Sequence, residues 1–576
     1  MPEGQRHLVA QAPGQPHACG RDRRAAHLLR AFTAKRRGTL WPRLRPSAWV
    51  LCLLATVVVL LAPLAGFNVP VGIASSHRAT AVPPDTRRPG HLGAALGSTP
   101  ASVAFLALLR AGGEPVCLES WARTVGLAVQ WGSGDSWVTI SGTPVAVERS
   151  FHVSIETHRG ADGSLTWAAR RPAKVPGGAC GEISGIGALH SFVRPAELGG
   201  VRLPPSSPGL SPSQLIDAYD AAPLIARGLT GQGQTIVFFE ADAFSSSDVN
   251  DFAGAVHNRL DLKVPLGNLG KAEGESTMDI ETAHEIVPSA KLVDVNLLAS
   301  RFRNMSTAAT YEAAFAFAAR RWPRAIWSIS LGSCESDTSI FDSADLMSLN
   351  GAVASAESGG TTVFASSGDS GGLDCMPAND AGQPPLDSWQ GVSVPASLPA
   401  VTSVGGTTLS ATPTGRYLGE TTWTEPLLMQ GSGGGLSKVF ARPSWQVGPG
   451  TGGLFDSSDM RQVPDVAADA NPATGNDIIE AGHVTTGGGT SLATPIWASF
   501  TALIDEYLRA RGDHALGFLN PELYRLAASS PPFPPLHDIT AGGNDFYLAT
   551  TGYDMVTGLG SPDVWNLARD LALAGQ

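Results

Sequence analysis

The chain has 576 residues, too many for one ordinary domain, and only 16% of them are charged. A formal net charge of -11 and a pI near 5.6 argue against nucleic acid as a partner, and 66 glycines with 42 prolines describe a loop-rich globular protein rather than a coiled coil or a disordered chain. Six cysteines are too few for a disulfide scaffold, and their spacing fits no zinc pattern.

Basic residues crowd the first segment, 1–46, which holds Arg21, Arg23, Arg24, Arg30, Lys35, Arg36 and Arg37 against only Glu3 and Asp22. From Pro46 through Ser76 there is no Lys, Arg, Asp or Glu, and the apolar heart of this stretch is long enough to span a bilayer as a helix. The basic flank predicts a cytoplasmic leader, a transmembrane or signal-anchor helix over 47–67 and an exported remainder. The length of the apolar run favours an uncleaved anchor over a cleaved signal peptide. The remainder is then extracellular, membrane-anchored or secreted after cleavage. In an exported chain one disulfide is expected in each later cysteine pair, Cys117 with Cys180 and Cys334 with Cys375.

A linker rich in Pro, Arg and Gly occupies 68–97. The next unit, 98–195, predicts helices over 103–110 and 118–129, a further helix within 143–150, and strands over 136–141, 151–157 and 165–169. It is an α+β unit, and a second linker, 196–209, follows it. From Leu210 to the end, apolar strands over 234–239, 291–295, 325–330 and 361–366 alternate with helices over 306–320 and 341–358. That pattern predicts an α/β domain, 210–576, with a doubly wound parallel sheet covered on both faces.

Within this domain Gly487-Gly488-Gly489-Thr490-Ser491 runs into a long apolar-periodic helix that ends near Arg511-Gly512. Ser491 stands at the helix mouth, with Pro495 expected in the first turn and backbone N–H groups beside the hydroxyl. A nucleophilic serine needs such groups for its oxyanion, although a serine in this position also serves as an ordinary helix cap. No histidine stands in a setting that suits a base: His257, His284 and His483 are each followed by the wrong residue. A carboxylate pair does stand out. Glu275 and Asp279 are four residues apart at a helix start and so share a helix face, where two like charges repel unless they share a proton or serve a function. An acidic first turn is otherwise a common response to the helix dipole. Asp369, in Ser367-Gly368-Asp369-Ser370-Gly371, follows an apolar strand at the carboxyl edge where α/β folds place their sites, or simply forms a turn.

Taken together these motifs resemble the sedolisin family, the serine-carboxyl peptidases, over most of the chain from the Ser98 region onward. Glu275 through Asp279 resembles the family's Glu-x-x-x-Asp, Ser367-Gly368-Asp369-Ser370-Gly371 its oxyanion aspartate motif, and Gly489-Thr490-Ser491 with Pro495 its nucleophile motif. The resemblance implies a subtilisin-like fold and an acid-acting endopeptidase that cuts polypeptides. Ser491 would be the nucleophile, Glu275 the general base, Asp279 its orienting partner and Asp369 a donor to the oxyanion. Three positions depart from the pattern: Gly488 where Ser is usual, Leu331 where Trp is usual, and Thr550 where Gly is usual. Glu240 matches an acidic position that extends the Glu–Asp network.

The resemblance also implies one structural Ca2+, held by the carboxylates of Asp538 and Asp554 with backbone oxygens of Ile539, Thr550 and Gly552. On residues alone, two aspartates on Gly-rich loops suit a hard cation but are equally ordinary turn residues. Unit 98–195, above all Ser141-Gly142-Thr143-Pro144, resembles the family's propeptide. It would be a ferredoxin-like domain that covers the active site as an intramolecular inhibitor until a cut between about 192 and 213. Two rivals remain open: an inactive exported binding protein on the same fold, favoured by Leu331 and Gly488, and an ordinary Ser–His hydrolase.

Overall fold

The computed structural model describes residues 95–96, 100–110, 113–159, 165–179, 181–194, 196–197, 209–375, 390–452 and 459–574. The basic leader and the apolar 47–67 segment lie outside the described residues. Among the described residues no helix is long and apolar enough to cross a membrane. Residues 86–576 fall in one unit.

The first layer is β1 (Val103–Leu109), α1 (Val116–Val125), β2 (Leu127–Gln130), β3 (Trp137–Gly142), α2 (Pro144–Phe151), a hairpin of β4 (Ile155–Arg159) and β5 (Leu165–Ala169), and β6 (Ile183–Ile186). The strand order β2-β3-β1-β6, all antiparallel, is that of a ferredoxin-like β-α-β-β-α-β unit. The 103–110 segment is therefore a strand and not the expected helix. Its unbroken apolar run arises because β1 is central and covered on both faces, by its own unit's Phe151 and Leu118 on one side and by helices of the next domain on the other. The 118–129 segment likewise divides into α1 and β2 at Gly126, which adopts φ 77° as the helix cap. Both stretches expected as linkers carry short strands: Ala95–Leu96 pairs with β4, and Ala196–Glu197 pairs with Leu331–Cys334.

The second domain is built on an eight-stranded sheet. Its elements in chain order are β7 (Thr235–Glu240), β8 (Leu262–Lys263), α3 (Glu275–Ile286), β9 (Lys291–Asn296), α4 (Thr307–Arg321), β10 (Ile326–Ile329), α5 (Ser343–Ser358), β11 (Thr362–Ser366), β12 (Thr402–Ala411), β13 (Tyr417–Thr422) and β14 (Val466–Asp469). A hairpin, β15 (Asp477–Glu480) and β16 (His483–Thr486), then leads into α6 (Thr490–Arg511). The order is β8-β9-β7-β10-β11-β12-β13, with β14 also beside β12; every pair is parallel except β12 with β13. Alternate residues of β7 divide the core. Ile236 and Phe238 join the apolar cluster of α3 and α6, whereas Val237 and Phe239 join that of α4 and α5. The sheet is thus doubly wound, and all the strands that precede the site point their carboxyl ends the same way.

The ferredoxin-like unit packs on α4 and α5. Asp345 accepts the Ala188 N–H at 2.7 Å, and the His190 ring meets the Ile340 carbonyl at 2.8 Å. Cys334 and Cys375 are bridged as expected, with Cα atoms 4.8 Å apart. Cys117 is also disulfide-bonded, while Cys180 lies outside the described residues.

Candidate active site

Ser491 is the second residue of α6 and fully buried. Gly489 caps the helix at φ 84°, a backbone that side-chain-bearing residues rarely adopt, and so delivers Thr490 and Ser491 to the mouth of the sheet. Because the helix begins at Thr490, Pro495 lies inside it and not in the first turn. Pro495 has no N–H to offer the Ser491 carbonyl four residues back. The Ser330 hydroxyl oxygen lies 3.3 Å from that carbonyl.

The structure brings the four expected catalytic residues together around this helix end. Glu275 opens α3 and its carboxyl interacts with the Ser491 hydroxyl, whose oxygen lies 3.4 Å from the Ser330 carbonyl. Burial, then the charge of Asp279, push the Glu275 carboxyl well above its usual range; the bond to Ser491 pulls the other way. Asp279, one turn further along α3, accepts the Ser330 hydroxyl at 2.7 Å on Oδ2 and is likewise pushed up by burial. Glu275 Oε1 and Asp279 Oδ1 are buried with no hydrogen-bond partner. Two such carboxyls titrate as a pair and are not both charged.

Asp369 follows β11 across a turn that requires Gly368: its φ is 121°, and a Cβ there would lie 1.9 Å from Asp374 Oδ2. Asp369 Oδ1 accepts both the Thr490 N–H and the Thr490 hydroxyl at 2.8 Å. Its Oδ2 is buried without a partner. Burial raises this carboxyl to about 7, against the pull of the two Thr490 bonds. With Oδ1 committed as an acceptor, the proton of the neutral acid belongs on Oδ2, where it is free to be donated.

Histidines play no such part. His284 shares α3 but bonds the Asn258 backbone, and His483 is exposed in the β15–β16 hairpin.

Three comparisons bear on this arrangement. Residues 269–516 match the model of the subtilase family. Kumamolisin from Bacillus sp. (strain MN-32) is 34% identical over 381 residues, which span 61% of this chain and 62% of kumamolisin, under two thirds of its length. Sedolisin from Pseudomonas sp. (strain 101) is 29% identical over 455 residues, 75% of this chain and 74% of that protein. A solved structure of Pseudomonas sedolisin, a serine-carboxyl proteinase complexed with two molecules of pseudo-iodotyrostatin, matches at TM-score 0.54 and 26% identity over 64% of this chain and 100% of its own. The chain is therefore similar to proteins of the sedolisin family, over much of its length. Its second domain carries a subtilisin-like α/β fold.

The departures from the sedolisin pattern have local causes. At Gly488 any Cβ would lie 2.4 Å from Pro472 Cγ and 2.9 Å from Pro472 Cα, so Pro472 occupies the place of a side chain. Leu331 is fully buried and heads the strand that pairs with Ala196–Glu197. Thr550 is not among the residues with a left-handed backbone, so nothing there demands glycine. Two contributors escaped the sequence reading, Ser330 and Thr490. Both are small hydroxyl residues whose roles depend on which carboxyl the fold sets beside them, Thr490 inside the nucleophile motif and Ser330 at the end of an apolar strand run.

The calcium candidates also gather in one loop cluster. Asp538 Oδ2 accepts the Gly552 N–H at 3.0 Å, and Asp554 accepts the N–H groups of Thr550, Val556 and Thr557 at 3.1, 2.9 and 2.9 Å. Ile539, next to Asp538, has a buried side chain. Among the described residues no group of three or more His, Cys, Asp or Glu side chains is poised for a metal. The expected set is of another kind, two carboxylates completed by carbonyls. As oxygen-only donors on a glycine-rich loop they fit a hard cation.

Proposed function

We propose that this protein is an acid-acting serine endopeptidase, made as an exported zymogen, that cuts polypeptides with Ser491 as nucleophile. One observation carries the reading: three buried carboxyl oxygens without partners, on Glu275, Asp279 and Asp369, surround the Ser491 corner. Glu275 takes the Ser491 proton as Oγ attacks the carbonyl and returns it to the leaving amine. Asp279, held by Ser330, orients Glu275 and shares its proton. Asp369 Oδ2 and the Ser491 N–H donate to the developing oxyanion. Asp538 and Asp554, with carbonyls of Ile539, Thr550 and Gly552, would hold Ca2+, whose charge ties the two loop strands together.

The zymogen reading is supported by the ferredoxin-like unit and its exit. Leu331 pairs with Glu197 and Gly332 with Ala196, antiparallel, directly after Ser330. Val193 N–H donates to Thr307 Oγ1 at 3.0 Å, and Arg194 meets Glu273 at 2.8 Å, two residues before the base. An extended segment added to the strand beside the catalytic residues occupies the room a substrate needs.

A fluorophosphonate probe at pH 4, with a peptide library read by mass spectrometry, tests the proposal. Labelling of Ser491 together with internal cuts supports it. Absence of both would favour the inactive binding protein.

A further inference from the structure

Asp294 has no role in the mechanism above, yet its setting is unusual. It lies on β9 in register with Phe238 of β7, and Asn296 lies opposite Glu240. Asp294 and Glu240 therefore share one face of adjacent strands as diagonal neighbours. Both are fully buried, and neither oxygen of either carboxyl has a hydrogen-bond partner. Two dry, unmet carboxyls side by side are costly unless they are neutral and bonded to one another.

What faces them leaves few other donors. From α3 come Glu275 and Asp279, and beyond the end of β7 stands Asp242. The Asn296 amide is committed to the carbonyls of Asp242 and Leu269, and the Ser330 hydroxyl to Asp279. α6 brings the apolar side chains of Leu492 and Ile496 to this side of the sheet. The charged groups acting on Glu240 are Asp279, Asp242, Asp294 and Glu275, and the one acting on Asp294 is Asp242, so no cation is among them; Arg194 acts on Asp242. The donors that remain on this face are the protonated carboxyls and the unpartnered hydroxyl of Ser328 on β10, in register with Phe238.

We propose that Asp294 is a positioning residue of the peptidase: its carboxyl hydrogen is donated to Glu240, which turns the hydrogen of Glu240 onto Asp279 Oδ1. Asp279 then receives a donor on each oxygen, Ser330 on one and Glu240 on the other, and holds the negative charge of the pair until Glu275 passes its proton to Asp279 as it takes up that of Ser491. No proton is gained or lost along the chain; each member keeps its own. Burial holds the Asp294 proton up to about 8, so the donor persists throughout the acid range. The inference rests on the catalytic reading of Glu275 and Asp279.

The test is the pH dependence of kcat for two variants. Asp294→Leu removes the donor. The charge on Asp279 is then less well held, the pair binds its proton more tightly, and the acid limb moves up by at least 0.5 pH unit, with kcat down at least tenfold and KM within twofold. Asp294→Asn, whose amide donates to Glu240, restores the limb and keeps kcat within threefold. Wild-type limbs in Asp294→Leu, or an Asp294→Asn variant that behaves like it, overturn the proposal. Should Asp294→Leu fail to fold, Asp294→Ala is read in its place: a raised acid limb supports the chain and a wild-type limb refutes it. Ser491→Ala and Glu275→Ala are the controls. If they stay active the catalytic reading falls and this inference with it; if they are dead while Asp294 variants keep wild-type limbs, only this inference falls.

Discussion

The acids around Ser491 and those of the C-terminal loop are treated in opposite ways. Asp554 is as buried as Asp369, 6% against 7% exposed. Yet three backbone N–H groups and the Thr557 hydroxyl meet its oxygens, and burial raises it only to about 6. Glu275, Asp279 and Asp369 each keep one oxygen that nothing meets. Where backbone N–H groups meet both oxygens, a carboxyl holds loops in place. Where an oxygen is left unanswered, the proton can move, and chemistry becomes available at the cost of stability.

The comparison is broken most severely at Ser491. Ser491→Ala should lose roughly 10⁴-fold or more in kcat and leave the purified chain uncut, as removal of a nucleophile does. Asp369→Asn should lose about 10²- to 10³-fold, the usual effect of an oxyanion donor that is replaced imperfectly. Its remaining activity should extend to higher pH than the wild type, because an amide does not ionise. Wild-type kcat should decline as Asp369 loses its proton through about 7. An alkaline limb identical in both enzymes would remove Asp369 from the oxyanion site.

Stability offers the next test. Glu281, Asp294 and Asp469 are raised by burial to about 8, and Glu357 to about 9. The folded state therefore binds more protons than the unfolded chain from roughly pH 4 upward, and stability falls as pH rises. The melting temperature should be highest near pH 4 and drop by several degrees toward pH 8, with Glu281→Gln flattening part of the drop. A rising profile over that range would contradict the burial of these acids. The smallest expected effect sharpens the comparison from the other side. Asp554→Ala should lower the melting temperature by a few degrees and abolish its response to chelator, while kcat at pH 4 stays within threefold. An unchanged melting temperature, with and without chelator, would remove the calcium site.

Much of this was legible in sequence because the catalytic sheet is buried on both faces. Its strands are continuous apolar runs; Asp369 follows one of them, and Glu275, Asp279 and Ser491 stand in motifs near the starts of α3 and α6. The same rule misled at 103–110, where an apolar run without alternation fits a strand as well as a helix. Only the packing of β1 between its own helices and α4 and α5 decides between them. Pro495 was placed a turn too early because the start of α6 depends on the φ of Gly489, which residue types do not specify. Ser330 and Thr490 carry no chemistry that marks them from other hydroxyl residues; their parts are assigned by the acids the fold brings to them.

The pairing of Ala196–Glu197 with Leu331–Gly332 bears on how the enzyme would be released. A segment held in the same chain as its docking strand competes at an effective concentration on the order of millimolar. A free substrate at micromolar levels is outcompeted, even if the segment binds weakly. Once the connection is cut, the same segment becomes an ordinary solute whose grip falls with dilution. Release from inhibition would then be governed by volume as much as by proteolysis, and a freshly cut sample should gain specific activity when it is diluted.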